Sequence, residues 1–418
     1  MTETAKTSMS ANDVMSGRAW EDFCDRLKAQ GAEVLREDVP GDPQNRAEGL
    51  RHLTRMLTYA LQITVEHSDA DRPVFHPHPG LSYKWGGDNP DNLYQHAAIE
   101  GSQTYRIRGR RQSELDFIIQ ASACGPMEAP GTGSRRGKKV LQFSELQSSD
   151  LEIGVDGDFE IWVGPERPPE NPALPGERIN WLPTHPDVGW INIRQYFHDW
   201  DRERPAEFFI EKVGGEGLSP EPLGPEKLAD QIESAIEWVE HGMPYWTEWA
   251  QREHLGHPPN TSKRLPPVED GVKLISYGCG RFDLEPGEAM IFECEVPKAR
   301  YWHVALLNFW FETLDYMDHQ SCLNGTQIQP DSDGRFRLVV SPTDPGVPNW
   351  LDSGGHLHGL TQYRWIWNED EPEPVCRVVP LDRLREELPA ETPFVTPEER
   401  RRTIRRRREH VLRRFHLC

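Results

Sequence analysis

Arg194, Tyr196 and Asp199 put a guanidinium, a phenol and a carboxylate close together in Trp190-Ile191-Asn192-Ile193-Arg194-Gln195-Tyr196-Phe197-His198-Asp199-Trp200. The alternation of this run reads as a strand, so Asn192, Arg194 and Tyr196 share one face while Ile191, Ile193 and Gln195 take the other. A guanidinium on a strand clamps a carboxylate, sulfate or phosphate through two parallel hydrogen bonds, and a phenol or acid beside it moves a proton. Asp352 and His356 offer further bases. The catalytic candidates are therefore Arg194, Tyr196, Asp199, Asp352 and His356. Tyr94, Tyr301, Trp302, Trp310, Asn324, Asn349 and Trp350 are the candidates for substrate binding, since a small-molecule pocket is mostly apolar with a few fixed polar groups. The same residues have structural uses. Arg194 can pin a sheet by pairing with Asp199, and most of the 14 Trp must fill core.

Asp352 and His356 belong to Asp344-Pro345-Gly346-Val347-Pro348-Asn349-Trp350-Leu351-Asp352-Ser353-Gly354-Gly355-His356. Its Gly and Pro content predicts a rigid loop, neither helix nor regular strand, that fixes the direction of its side chains. Two His-x-His pairs, His76/His78 and His356/His358, have the alternation of a metal-binding strand. Pro77 and Pro79 spoil the first, and neither pair has a carboxylate at ligand spacing, so no metal is expected. Phosphate-binding glycine loops, a nucleophile elbow and a zinc-protease helix are all missing, so no nucleotide cofactor is expected either.

The elements that must position these groups are mainly strands. Trp20, Phe23 and Leu27 mark one early helix; Leu50, Leu53, Met56, Leu57, Ala60, Leu61 and Val65 mark a second. Short alternating runs follow, among them 104–108 and 158–163, the latter after an Asp156-Gly157 hairpin turn. A helix over Pro225 to Trp249 is predicted to break at Gly242 and Pro244, leaving Trp238, Tyr245, Trp246 and Trp249 as an aromatic cluster. Strands resume at 273–277, 289–294, 302–311, 336–340 and 363–367. Thr396, Pro397 and Glu399 open a last helix with a capping box. The fold class is α+β, mainly β: an antiparallel sandwich or jelly-roll body with N-terminal helices, a middle helix and a basic C-terminal helix. The expected divisions are 1–70 helical, 71–224 strand-rich, 225–262 helix and connector, 263–390 strand-rich with the loop, and 391–418 the basic helix.

At 418 residues the chain has room for two modules. Its formal charge is −21, yet the segment from Thr396 onward holds nine Arg against three Glu, so the rest carries −27. Such a body repels nucleic acid, and its tail is expected to dock on the acidic surface of its own chain or of a second copy, a route to a homo-oligomer. Seven Cys without a C-x-x-C pair read as reduced thiols. With no apolar leader and no run long enough to span a bilayer, a cytoplasmic location and no membrane partner are expected.

Four separated motifs resemble the domain-of-unknown-function 1214 family: Asp88-Asn89-Pro90-Asp91-Asn92-Leu93-Tyr94, Arg194 to Trp200, Ala299-Arg300-Tyr301-Trp302, and the loop from Asp344 to His356. The resemblance implies a bacterial sandwich-like protein and carries over no catalytic residue. Asn89 and Asp91 read as turn formers, with Tyr94 open to a binding role. The expected function is cofactor-free acid/base chemistry, of lyase, isomerase or hydrolase type, on a small apolar or aromatic molecule with a polar or anionic group. The alternative is a non-catalytic carrier of a hydrophobic small molecule.

Overall fold

A computed structural model of the chain describes residues 8–122, 142–169, 179–252, 256–266 and 274–417. Cys124, Cys418 and the strand start at Lys273 lie outside the described residues. Three helices come first: α1 Ala11–Ser16, α2 Arg18–Val34 and α3 Pro43–Leu61. Strands β1 His76–Pro77, β2 Asn92–Ala98, β3 Tyr105–Arg110, β4 Asp116–Ser122, β5 Gln142–Gln147, β6 Asp158–Gly164, β7 Asn180–Pro183, β8 Trp190–Tyr196 and β9 Glu207–Lys212 follow. After helix α4 Pro225–Ala250 come β10 Thr261–Arg264, β11 Ile275–Asp283, β12 Glu288–Glu295, β13 Ala299–Leu307, β14 Cys322–Asn324, β15 Arg335–Ser341, β16 Trp350–Asp352, β17 His358–Asn368 and β18 Val375–Pro380. Helices α5 Leu384–Glu387 and α6 Pro397–Arg414 complete the fold, which is α+β and mainly β.

The strands form two sandwiches of one topology. The first sets β1-β2-β8-β4-β5 against β7-β6-β3-β9, and the second sets β10-β11-β17-β13-β14 against β16-β15-β12-β18. Each strand of the second occupies the place of the strand nine earlier in the first, down to one parallel pair in each, β6/β7 and β15/β16. Alternation supplies each interior. Ala97, Phe117, Ile119, Ile191 and Ile193 face Ile107, Ile161 and Ile210 in the first. Trp302, Val304, Tyr363 and Trp365 face Met290, Phe292, Leu338 and Val340 in the second.

Three local expectations need correcting. Helix α4 runs unbroken through Gly242 and Pro244, because Ala235, Trp238, Val239 and Met243 bury against α3 and Trp310 and offset a proline penalty of about 3 kcal/mol. In α3 the inward face is Gly49, His52, Met56, Tyr59 and Ala60, whereas Leu50 is exposed. His52 is buried there by Glu312 at 2.7 Å, a partner that periodicity does not reveal. Within the Asp344–His356 loop, Trp350–Asp352 form a short strand parallel to β15, while Gly346, Gly354 and Gly355 hold positive φ.

The basic tail docks on its own chain. Arg400 pairs with Asp344 at 3.0 Å, Arg407 donates to the Tyr316 carbonyl at 3.1 Å, and Arg414 donates to the Pro90 carbonyl at 2.6 Å over the Phe197 and Trp200 rings. Deleting residues 396–418 would strip cover from Phe197, Trp200 and Tyr316, which pack with Val411. The truncated protein is expected to melt well below the full chain and to aggregate on heating. Equal melting temperatures would show that the helix stabilises nothing.

Candidate functional site

The two five-stranded sheets turn polar faces towards each other. On β2, β8 and β4 this face is built in cross-strand rows: Asn92, Tyr196 and Asp116; Tyr94, Arg194 and Ile118; His96, Asn192 and Gln120. On the facing sheet, Tyr277, Arg364, His303 and Asn324 form one row across β11, β17, β13 and β14. The topological repeat places Arg194 with Tyr94, and Arg364 with Tyr277, at corresponding positions of the two sandwiches.

The two arginines are held differently. Arg364 donates to His303 Nε2 at 3.0 Å and to the Gly87 carbonyl, and lies over the Tyr277 ring. Arg194 makes no hydrogen bond or ion pair among the described residues. It is part-buried, as are Tyr94 and His96. All three lie on the face turned to the other sheet, so the surface they expose opens between the sheets, in a cleft. Burial opposes the Arg194 charge, but Tyr277, Tyr196, Tyr94 and Glu145 outweigh it and hold the guanidinium above its ordinary value. Burial likewise raises Tyr94 and Tyr196, with Arg364 and Arg194 opposing it at Tyr94 and Arg194 at Tyr196, so both phenols stay protonated at neutral pH.

The rim of this layer is aromatic. Trp85 lies 5.0 Å from the His78 ring and 5.6 Å from Trp246 of α4, and Trp246 stacks on Phe311. The indole N–H groups of Trp85 and Trp246 are buried without partners among the described residues. Gly86 and Gly87 have positive φ, and a Cβ on Gly87 would meet the Phe311 ring at 2.6 Å and Gln362 Oε1 at 3.1 Å. Gly87→Ala is accordingly expected to cost about 1–3 kcal/mol, read as a lower denaturation midpoint; an unchanged midpoint would mean this segment yields freely.

Below the cleft Asp91 gathers donors. It accepts from Tyr301 Oη at 2.7 Å, Asn324 Nδ2 at 2.9 Å and Trp200 Nε1 at 2.6 Å, with His303 Nδ1 at 3.7 Å. Asn89 Oδ1 accepts from the Asp91 backbone N–H at 2.9 Å, the expected turn, and lies 3.0 Å from Tyr301 Oη as the alternative acceptor for its single proton. Asp91 thus ties the first sandwich to the second, beyond the turn role its sequence suggests.

Four histidines adjoin the cleft. His78 and His96 rings lie 3.9 Å apart, His67 and His76 4.6 Å, and Tyr59 Oη bonds His78 Nε2 at 2.8 Å. Burial first, and neighbouring imidazoles second, hold His76, His78 and His96 below their ordinary value, His76 at about 4. The unfolded chain binds protons at these rings near pH 6.5 and the folded chain does not. Stability is therefore full above that pH and falls as pH drops from about 6.5 towards 4, by up to about 1.4 kcal/mol per pH unit for each ring. Denaturation at pH 7 and pH 5 tests this; equal midpoints would remove the cluster from the stability of the fold. Among the described residues, no group of three or more His, Cys, Asp or Glu is arranged to hold a metal.

Of the sequence candidates, the structure brings Arg194, Tyr196, Tyr94, Tyr301 and Asn324 together in this layer. The others lie elsewhere. Asp199 sits in an exposed turn near Arg202, 3.7 Å away, and does not pair with Arg194. Asp352 binds His319 at 2.7 Å, and His356 binds Glu48 at 3.2 Å. His358 likewise meets Asp283 at 2.6 Å, so the fold supplies both histidines of this pair with carboxylates that sequence spacing did not offer. Trp302 points into the second sandwich, on the side of β13 away from the cleft. Trp310 packs among the helices and donates to the Asn45 carbonyl at 3.0 Å. Asn349 bonds the Gln329 backbone through both amide atoms, and Trp350 packs on the outer face of β12 and β15. All seven were grouped by residue type, and tertiary packing separates them. Asp91, His96, Gln120, Tyr277, His303 and Arg364 were missed; the alternations Asn92-x-Tyr94-x-His96 and Tyr301-x-His303 were the available signals. A separate outer depression of about 740 Å³ beside Arg108, Arg110 and Phe209 has its charges occupied, Arg110 by Asp158 and Arg108 by Glu211.

The architecture is thus a tandem pair of nine-stranded sandwiches enclosing a polar, arginine-bearing cleft. The chain belongs to the same family as an uncharacterized protein from Burkholderia cenocepacia of known crystal structure, with 34% identity over 89% of this chain and 99% of that one, at a TM-score of 0.79. A Vibrio parahaemolyticus protein aligns over 79% of this chain and 98% of its own at 10% identity and a TM-score of 0.43, too distant to carry an argument. No family model and no curated protein matches the chain. Among the described residues no helix is long and apolar enough to cross a membrane.

Proposed function

We propose that the protein takes a small molecule bearing an anionic group into the cleft between its sandwiches and performs acid/base chemistry on it without a nucleotide cofactor. The observation that carries this reading is Arg194, a part-buried guanidinium with no hydrogen-bond or ion-pair partner among the described residues. Its N–H donors are left unfilled there, and an anion would complete them. Arg194 would hold the anion bidentately, Tyr196 and Tyr94 would donate protons or hydrogen bonds, and neutral His96, whose Nδ1 is unpartnered, would accept a proton. Trp85 and Trp246 provide apolar wall for a ring or chain. A lyase, isomerase or hydrolase-type step fits these groups.

The alternative, a carrier without turnover, is favoured by one observation: Asp91, the carboxylate nearest the centre of the layer, is occupied by three donors and is not free as a base. The proposal includes the resemblance to the domain-of-unknown-function 1214 family. Its support is that three of the four motifs supply this layer, through Asn89, Asp91 and Tyr94, through Arg194, Tyr196 and Trp200, and through Tyr301. A cytoplasmic setting is proposed on the thiols of Cys24, Cys294, Cys322 and Cys376, which form no disulfide among the described residues. Native mass spectrometry of protein purified from its own host, with extraction and identification of what is bound, tests the reading. A retained organic anion consumed on incubation supports the enzyme, and one released unchanged supports the carrier. A site that binds no organic anion in a screen of small carboxylates, sulfates and phosphates would sink both.

A further inference from the structure

The row beside Arg194 narrows the ligand. Gln120 and Asn192 are cross-strand neighbours on the face that carries Arg194, with His96 completing the row. The Gln120 side chain is almost wholly buried. Its amide donates to Glu145 Oε2 at 3.1 Å, and because a carboxylate only accepts, the amide cannot be turned the other way. That fixes Gln120 Oε1 as a buried acceptor without a partner among the described residues. Asn192 bonds Ser122 Oγ at 2.6 Å, and among the described residues neither its own Oδ1 nor His96 Nδ1 has a partner. Unfilled acceptors enclosed in protein call for a donor, just as the bare guanidinium calls for an anion. Glu145 lies within electrostatic reach of Arg194, as His96 does, so row and arginine belong to one site.

We infer that the ligand is bifunctional: an anionic group on Arg194, and a hydrogen-bond-donating hydroxyl or amino group on the Gln120 carbonyl in the Asn192 and His96 row. Gln120 is the diagonal cross-strand neighbour of Arg194, two residues along and one strand over, so the two groups stand about 7–8 Å apart. This rests on the reading of Arg194 proposed above and specifies its substrate class as small hydroxy or amino acids with well-separated ends.

The test is isothermal titration of the full chain with matched acids that differ only in the distal hydroxyl, 4-hydroxyphenylacetate against phenylacetate and 6-hydroxyhexanoate against hexanoate. The hydroxylated member of a pair is expected to bind about tenfold more tightly, the worth of one buried hydrogen bond. Gln120→Met should bring that ratio to about one. Equal affinities of paired acids for the unmodified protein would overturn the inference and leave the anion site standing. Failure of all four acids to bind, or binding that Arg194→Gln leaves unchanged, would overturn the anion site and this inference with it. The ratio in the unmodified protein decides the matter even if the Gln120 variant does not fold.

Discussion

Arg194→Gln is expected to weaken binding of an anionic ligand by about two orders of magnitude or more while leaving the protein folded and about as stable. Truncating one side of an enclosed, charge-assisted pair costs about 2–5 kcal/mol, and Gln offers neither the charge nor the two-pronged donor geometry. The stability forecast is different, because Arg194 makes no hydrogen bond or ion pair among the described residues. Its replacement by Gln breaks no such contact seen in the structure, and little change in stability follows. Paired measurements decide it: titration calorimetry with an identified ligand and thermal melting without one. Undiminished affinity would dismiss Arg194 as the anion clamp. A large loss of stability would instead assign it a structural role.

Asp91→Ala is the counterpart, a loss of fold in place of a loss of function. Tyr301 Oη, Asn324 Nδ2 and Trp200 Nε1 all donate to this carboxylate inside the protein, and the substitution leaves two buried donors, Asn324 Nδ2 and Trp200 Nε1, unanswered, while Tyr301 Oη can turn to Asn89 Oδ1. The expected cost is about 3–5 kcal/mol. Asp91→Asn, which keeps one acceptor oxygen and the shape, should cost less. Urea denaturation followed by tryptophan fluorescence measures both, with Trp200 itself a reporter of the site. A cost below about 1 kcal/mol for the alanine variant would show that the sandwiches are joined by other contacts.

Strands with strict alternation were legible because one face of each must be apolar: Ile191 and Ile193 go inward on β8, and Arg194 stands opposite. The α6 capping box is local chemistry between Thr396 and Glu399, at 2.8 and 3.2 Å, and needs no tertiary partner to be read. Pro244 was misread for the converse reason. A proline penalty is local, while the burial of Trp238, Val239 and Met243 that overrides it is not. Leu50, on the expected apolar stripe, is exposed, and His52, outside that stripe, is buried because Glu312, far away in the chain, is available to its imidazole.

The site divides along the same line. The sequence by itself determined that Asn192, Arg194 and Tyr196 share a polar strand face, that the segment before His356 is dense in turn-forming Gly and Pro, and that the body is acidic with a basic terminal helix, since all of these follow from spacing and composition. Only the tertiary structure decided that Arg194 faces a cleft and stands apart from Asp199, that Asp91 bridges two sandwiches, and that Asp352, His356, Trp302, Trp310, Asn349 and Trp350 serve other neighbourhoods. The reason is physical. Alternation fixes the side of a strand on which a residue lies, whereas the partner on that side is set by how whole sheets pack, and the packing of the two five-stranded sheets is written in contacts between residues far apart in the chain.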